Sequence, residues 1–227
     1  MNIDEQFKIK VGLMLQMQSD INFAINNDWK KAGNQWYRAI WTESAEMLDH
    51  IGWKWWKKQT SDKFQLHLEL IDIWHFGISQ LLNKYDNFEL IINKITFAYV
   101  QAESNRKSNV AEEDLRVSVE DFALETLNTR DFVLKSYFTL MANSDLTFDE
   151  LFERYVAKNI LNKFRQDNGY KNGTYIKIWE DEEDNVWLER FLEKMDFSSC
   201  SFHEDIYNQL QIKYDSLVGE NSNDRDK

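Results

Sequence analysis

Glu43 to Phe76 reads ESAEMLDHIGWKWWKKQTSDKFQLHLELIDIWHF, and the fold turns on two short acidic words inside it. The first is Glu43-Ser-Ala-Glu46 and the second Glu69-Leu-Ile-Asp72. Carboxylates three residues apart project from one helix face, nearly above one another. Twenty-two residues separate Glu46 from Glu69, enough for a helix end, a turn and a new helix start. Packed antiparallel, the two helices would aim four carboxylates into one seam. Four converging carboxylates repel, and lose their charge unless a cation joins them. Oxygen-only ligands suit a hard ion, Mg2+ first and Mn2+ second, better than zinc. Acidic pairs also decorate ordinary solvated helix faces. These acids, however, stand among Ile40, Trp41, Ala45, Met47 and Leu48 on one helix and Leu68, Leu70, Ile71, Ile73 and Trp74 on the other. Acids buried among apolar residues must be paired or metal-bound.

Composition supports helices throughout. The 227 residues include no proline and only 7 glycines, the two residues that break or weaken helices. Hydrophobic residues make up 43%, so a large core is available. The expected fold is all-α: a helical bundle with antiparallel helices around a carboxylate-lined metal site, one domain over residues 1–219 with a polar tail at 220–227. A net charge of -12 argues against a nucleic-acid polymer or an anionic membrane as partner. A single cysteine, Cys200, fits a reducing cytoplasm and reads as a small buried or half-buried thiol. Asp4 and Glu5 leave no room for a signal peptide, and no apolar run approaches the ~20 residues of a membrane span.

Periodicity places helices at about 3–25, 34–50, 62–84, 88–102, 117–142, 182–195 and 202–218, with Ser61 or Asp62 capping the third. Thr147-Phe-Asp-Glu150 is a capping box that opens a further helix. Residues 103–114 read as a polar connection. Three tryptophans, Trp53, Trp55 and Trp56, cannot all face one core stripe, so at least one is expected over a cleft or interface.

The basic counterpart is Tyr155 to Trp179, YVAKNILNKFRQDNGYKNGTYIKIW. Between Arg154 and Ile178 stand six basic residues and one acid, Asp167. Lys158, Asn162 and Arg165 fall on one helical face, and Gly169 and Gly173 mark a loop after it. That pattern suits a mobile phosphate clamp. It equally suits a basic face neutralised by acidic neighbours elsewhere. Divalent cations on carboxylates, together with Lys and Arg, are what a nucleoside triphosphate requires.

The words Gln18-Ser-Asp20-Ile-Asn22, Glu43-x-x-Glu46, Lys54-Trp55-Trp56-Lys57, Glu69-x-x-Asp72-x-x-His75-Phe76 and Lys158 to Trp179 resemble the dimeric all-α dUTP pyrophosphatases, within the larger superfamily of all-α nucleotide pyrophosphohydrolases. The acidic pairs point only to the superfamily, whereas the long basic word points to the dUTPase branch. The resemblance implies a cytoplasmic homodimer that hydrolyses dUTP to dUMP and pyrophosphate, with dUDP as a second substrate. It implies Mg2+ on Glu43, Glu46, Glu69 and Asp72, with Glu46 also orienting or deprotonating the attacking water. Phosphate contacts carry over to Lys158, Arg165, Tyr170 and Lys177, with Asn162 near the nucleotide. Uracil and deoxyribose contacts carry over to Gln18, Asn22, Trp56, His75 and Phe76. Amides can pair with a pyrimidine edge and an aromatic ring can stack on its face, in agreement with these roles. Residues 103–114 and those after about Met195 match no functional word.

Three other readings compete. A dCTP or broader house-cleaning nucleotide pyrophosphohydrolase would share the metal site. A di-iron bundle expects two Glu-x-x-His motifs, and only Asp72-x-x-His75 approximates one. A non-catalytic helical interaction protein would leave the acids solvated.

Overall fold

A computed structural model describes residues 5–107, 109–197, 199 and 201–223, and the side chains only to residue 218. Cys200 lies outside the described residues. These residues form nine α-helices and one two-stranded ribbon. They fall into two compact units, 1–152 and 153–227.

The first unit contains α1 (Glu5–Ile25), α2 (Trp36–Ile51), α3 (Lys63–Lys84), α4 (Phe88–Glu103), α5 (Glu112–Thr129), α6 (Leu134–Asn143) and the first turn of α7 (Phe148–Asp167). α3 is its centre. Its apolar residues run all round the cylinder, and such a helix must be covered on every side. α1 and α2 both pack on it, α5 packs on α2, and α6 lies on α4 and α5. The Asp62 carboxylate caps α3, accepting from the Gln65 N–H at 3.1 Å. α2 turns Ile40, Ser44, Met47 and Ile51 inward, one per helical turn. Gly77 makes the close approach of α3 possible: a Cβ there would stand 2.5 Å from the Phe132 ring.

The expected helix over 117–142 is two helices. Arg130 ends α5 in the left-handed region (φ 55°), its N–H donating to the Thr126 carbonyl at 2.8 Å. Neither glycine nor proline announces this break. What it gains is tertiary: Phe122, Phe132 and Tyr137 form a connected aromatic cluster, and Trp74 of α3 meets Phe132 and Tyr137 there. The capping box forms as expected. Thr147 N–H donates to Glu150 Oε2 at 2.8 Å, and Glu150 N–H donates to Thr147 Oγ1 at 3.2 Å.

The second unit takes the rest of α7, a 3-10 turn at Tyr170–Asn172, β1 (Ile178–Trp179), β2 (Glu182–Glu183), α8 (Asp184–Leu192) and α9 (Phe202–Asn223). β1 and β2 pair antiparallel, with Ile178 opposite Glu183. Its core is aromatic: Phe164 meets Tyr175, Trp179, Tyr207 and Tyr214. α9 continues through Asn223, so the tail expected from 220 is helical up to that point, and 224–227 lie outside the described residues.

Candidate active site

α2 and α3 form an antiparallel pair, because progress along one runs against the other. Glu43, midway along α2, meets Asp72, while His50, near its end, meets Glu69. This register brings oxygens of Glu43, Glu69 and Asp72 within 4.8 Å of one another. Glu69 is buried and the other two are half-buried. Burial, then the charge of Asp72 and contact with Glu69, push the Glu43 carboxyl up to about 9 from its usual 4.5. Glu46 adds to that repulsion from one turn further on, yet it is exposed and not among the three gathered oxygens. Three of the four expected ligands therefore converge, and the fourth stands beside them on the solvent side.

The donor set fits a hard divalent cation. Octahedral Mg2+ holds oxygens at about 2.1 Å, which sets ligand oxygens roughly 3–4 Å apart. Small side-chain movements would bring the three carboxylates into that range. A divalent charge would also offset the burial and the repulsion that raise the Glu43 carboxyl. His50 joins this group without having been expected there. Its Nε2 lies 3.2 Å from Glu69 Oε1, where it can orient that carboxylate. Its spacing, four residues after Glu46, is the signal the sequence offers.

One turn beyond Asp72, the residues expected at the base form a buried polar ring. His75 Nδ1 lies 2.8 Å from Gln18 Oε1. Gln18 Nε2 donates to Asn22 Oδ1 at 3.1 Å, and Asn22 Nδ2 donates to Ser79 Oγ at 3.0 Å. Phe76 is half-buried, its ring 6.5 Å from that of Trp36. Trp56 is placed differently: it stands exposed in the α2–α3 connection, edge-on to Trp53 and Trp55. None of these three tryptophans enters the core.

The basic word, in the second unit, proves to be heavily paired. Arg165 donates through Nε and Nη2 to both oxygens of Asp184, at 2.8 and 2.7 Å, and Asp184 is fully buried. Asn162 Oδ1 accepts from Arg165 Nη1 at 3.2 Å. Asn185 Oδ1 accepts from both Arg165 Nη2 (3.2 Å) and Lys158 Nζ (2.9 Å). Tyr175 donates its hydroxyl to Asp184 at 2.8 Å, and burial together with that carboxylate raises its phenol above the ordinary range. Lys177 pairs with Glu183 at 2.9 Å, Lys163 with Asp167, and Arg154 with Glu189. Tyr170 is exposed, with the Arg165 guanidinium 5.9 Å from its ring centre. Gly169 (φ 89°) is needed at the turn, since a Cβ there would stand 2.1 Å from Thr174 Oγ1. Asp184 and Asn185 were not expected as partners. The signal for them is the acidic run Glu180 to Asp184, directly after the basic word.

The fold and the converging acids define a class, the all-helical proteins built on an inter-helix carboxylate cluster. A family model described as dUTPase matches residues 10–170, and the chain belongs to this all-α dUTPase family. It is therefore a hydrolase, a dUTP diphosphatase, with a nucleotide as substrate. No curated protein matches the chain. No helix among the described residues is long and apolar enough to cross a membrane.

Proposed function

We propose that the carboxylate seam is the catalytic centre of a Mg2+-dependent dUTPase that releases dUMP, with dUDP as its second substrate and Mn2+ as a substitute ion. The convergence of Glu43, Glu69 and Asp72 carries this reading. These three residues would hold the ion, which when bound polarises a phosphoryl oxygen. Glu46, beside them on the solvent side, takes the proton of a water as its oxygen attacks the α-phosphorus. The new P–O bond forms as the bond from the α-phosphorus to the bridging oxygen breaks. Pyrophosphate leaves from dUTP, and phosphate from dUDP. His50 keeps the Glu69 carboxylate turned toward the other two.

Lys158, Arg165, Tyr170 and Lys177, with Asn162, are assigned to the phosphates. Asp184 and Asn185 hold Lys158 and Arg165 in fixed positions, so less side-chain freedom is lost when an anion binds. Gln18, Asn22 and His75 take the uracil edge, Phe76 its face, and Trp56 is assigned to the nucleoside. A site shaped to uracil excludes the thymine methyl, and close packing at the sugar excludes a 2′-hydroxyl. A homodimer agrees with the exposed apolar side chains of the first unit, Ile9, Leu13 and Phe97 among them. Light scattering of the purified chain tests that assembly.

The deciding experiment is product analysis on dUTP, dUDP, dCTP, dTTP and UTP with Mg2+, with Mn2+ and with EDTA. Rapid dUMP formation only with a divalent ion is expected. Equal cleavage of dTTP and dUTP would overturn the base assignment, and full activity in EDTA would overturn the metal assignment.

A further inference from the structure

The ring of Gln18, Asn22, His75 and Ser79 is buried between α1 and α3, and four polar groups there cost free energy unless their hydrogen bonds close. The hydrogen bonds that join these side chains run in one direction. Ser79 Oγ carries a single hydrogen, donated at 2.8 Å to the carbonyl of His75 one turn earlier. Toward Asn22 the hydroxyl can then only accept, which turns the Asn22 Nδ2 group to Ser79. Asn22 Oδ1 is left facing Gln18 and accepts from its Nε2. Gln18 Oε1 is left facing His75, and an amide oxygen has no proton, so His75 Nδ1 must carry one. Two amides and an imidazole, each able to flip on its own, are thus set by one hydroxyl. In the neutral ring, Nε2 of His75 is then an acceptor.

We propose that Ser79 is a specificity-determining positioning residue: it sets the hydrogen-bond direction of the Gln18–Asn22–His75 ring to match uracil rather than cytosine. This rests on the assignment of those three residues to the base. Uracil offers a donor, N3–H, between two carbonyl acceptors. Cytosine offers a bare N3 acceptor beside an amino donor. Running this way, the ring leaves His75 Nε2 as an acceptor, which suits the N3–H of uracil. Run in the opposite direction, His75 Nε2 would carry the proton and suit the bare N3 of cytosine instead. The bond from Ser79 to a backbone carbonyl supplies the direction, because a carbonyl can only accept.

The test compares wild type, Ser79→Ala and Ser79→Thr as full chains with Mg2+. It reads kcat and KM for dUTP and dCTP, the melting temperature, and the ring-nitrogen NMR shifts of His75. Ser79→Ala is expected to lower the dUTP over dCTP ratio of kcat/KM by about 10-fold, the weight of one directed hydrogen bond, mainly through KM. Ser79→Thr, which keeps the hydroxyl, is expected to restore most of the ratio. His75 is expected as the Nδ1–H tautomer in wild type and as a mixture in Ser79→Ala. An unchanged ratio with a lowered melting temperature would overturn the proposal and leave the ring as packing. A wild-type His75 protonated at Nε2 alone would overturn it without any variant, even if both variants fail to fold. Wild type that cleaves dCTP as fast as dUTP would instead remove the base assignment beneath it, while the NMR arm still judges the direction of the ring.

Discussion

In sequence, the acidic seam of the first unit and the basic word of the second unit are alike, each a cluster of one sign. Their structures are opposite. Glu43, Glu69 and Asp72 converge on each other, and burial, then the charge of Asp72 and contact with Glu69, push the Glu43 carboxyl up to about 9. Arg165, Lys177, Lys163 and Arg154 each meet a carboxylate, and Lys158 meets an amide oxygen. A cluster of like charges gathered in one seam is suited to an ion from outside. A cluster that the chain compensates is positioned before any ligand arrives. The first stores repulsion that binding relieves. The second is fixed by partners that a phosphate must join or displace.

This contrast breaks most sharply at the metal. In a double variant Glu69→Ala, Asp72→Ala, turnover of dUTP is expected to fall about 10^4-fold or more, since the polarising ion is lost. Heating scans with and without Mg2+ check the cause: wild type gains stability from the ion and the double variant gains none. Unchanged Mg2+ stabilisation would place the ion elsewhere.

Next in size is the buried pair. Asp184→Asn leaves the Arg165 guanidinium without its counter-charge and is expected to cost about 3–5 kcal/mol of stability. Denaturant unfolding measures it. Replacing both partners, Arg165→Met with Asp184→Leu, is expected to recover most of that stability while dUTP affinity stays low. Recovery of affinity as well would make Arg165 a purely structural residue.

Glu46→Gln keeps size and removes the base. Turnover is expected to fall on the order of 100-fold, with little change in melting temperature because Glu46 is exposed. Normal turnover would move the base to another group.

A graded effect follows from Glu43. Its folded pKa is raised, so between 4.5 and about 9 the folded state binds more protons than the unfolded state. The stabilisation is complete below 4.5 and is lost as pH rises through about 9. Metal-free protein in EDTA is therefore expected to lose stability across that window. Glu43→Gln should flatten the slope, and so should Mg2+ in the wild type. A slope of the other sign would show that Glu43 is ionised in the folded state.

The smallest effect belongs to the half-exposed pair Lys177–Glu183. Glu183→Ala is expected to change stability by less than about 1 kcal/mol, as solvated ion pairs do. Tighter dUTP binding in that variant would show that Glu183 competes with phosphate for Lys177.

Legibility in the sequence follows the range of the interaction. The capping box at Thr147 and the cap at Asp62 are readable because their partners lie three residues away. The carboxylate pairs are readable for the same reason, since i, i+3 spacing on a helix is local geometry. The break at Arg130 is not, because it is held by aromatic packing and a left-handed residue that is neither Gly nor Asn. Ser79 escapes notice because an isolated serine in an apolar helix has no local signature, and its partner Asn22 is 57 residues away.

The sequence by itself determined most of the helices, the sign of each charge cluster and the family, all of which depend on residue type and on spacings of a few residues. Only the tertiary structure decided which charges would meet. Glu43 found Glu69 and Asp72 through the antiparallel register of α2 and α3, and Arg165 found Asp184 where the chain returns through the β1–β2 ribbon to open α8. The physical reason is that a charge is specified by its own residue, whereas the energy of a charge depends on what the fold places within a few ångströms of it.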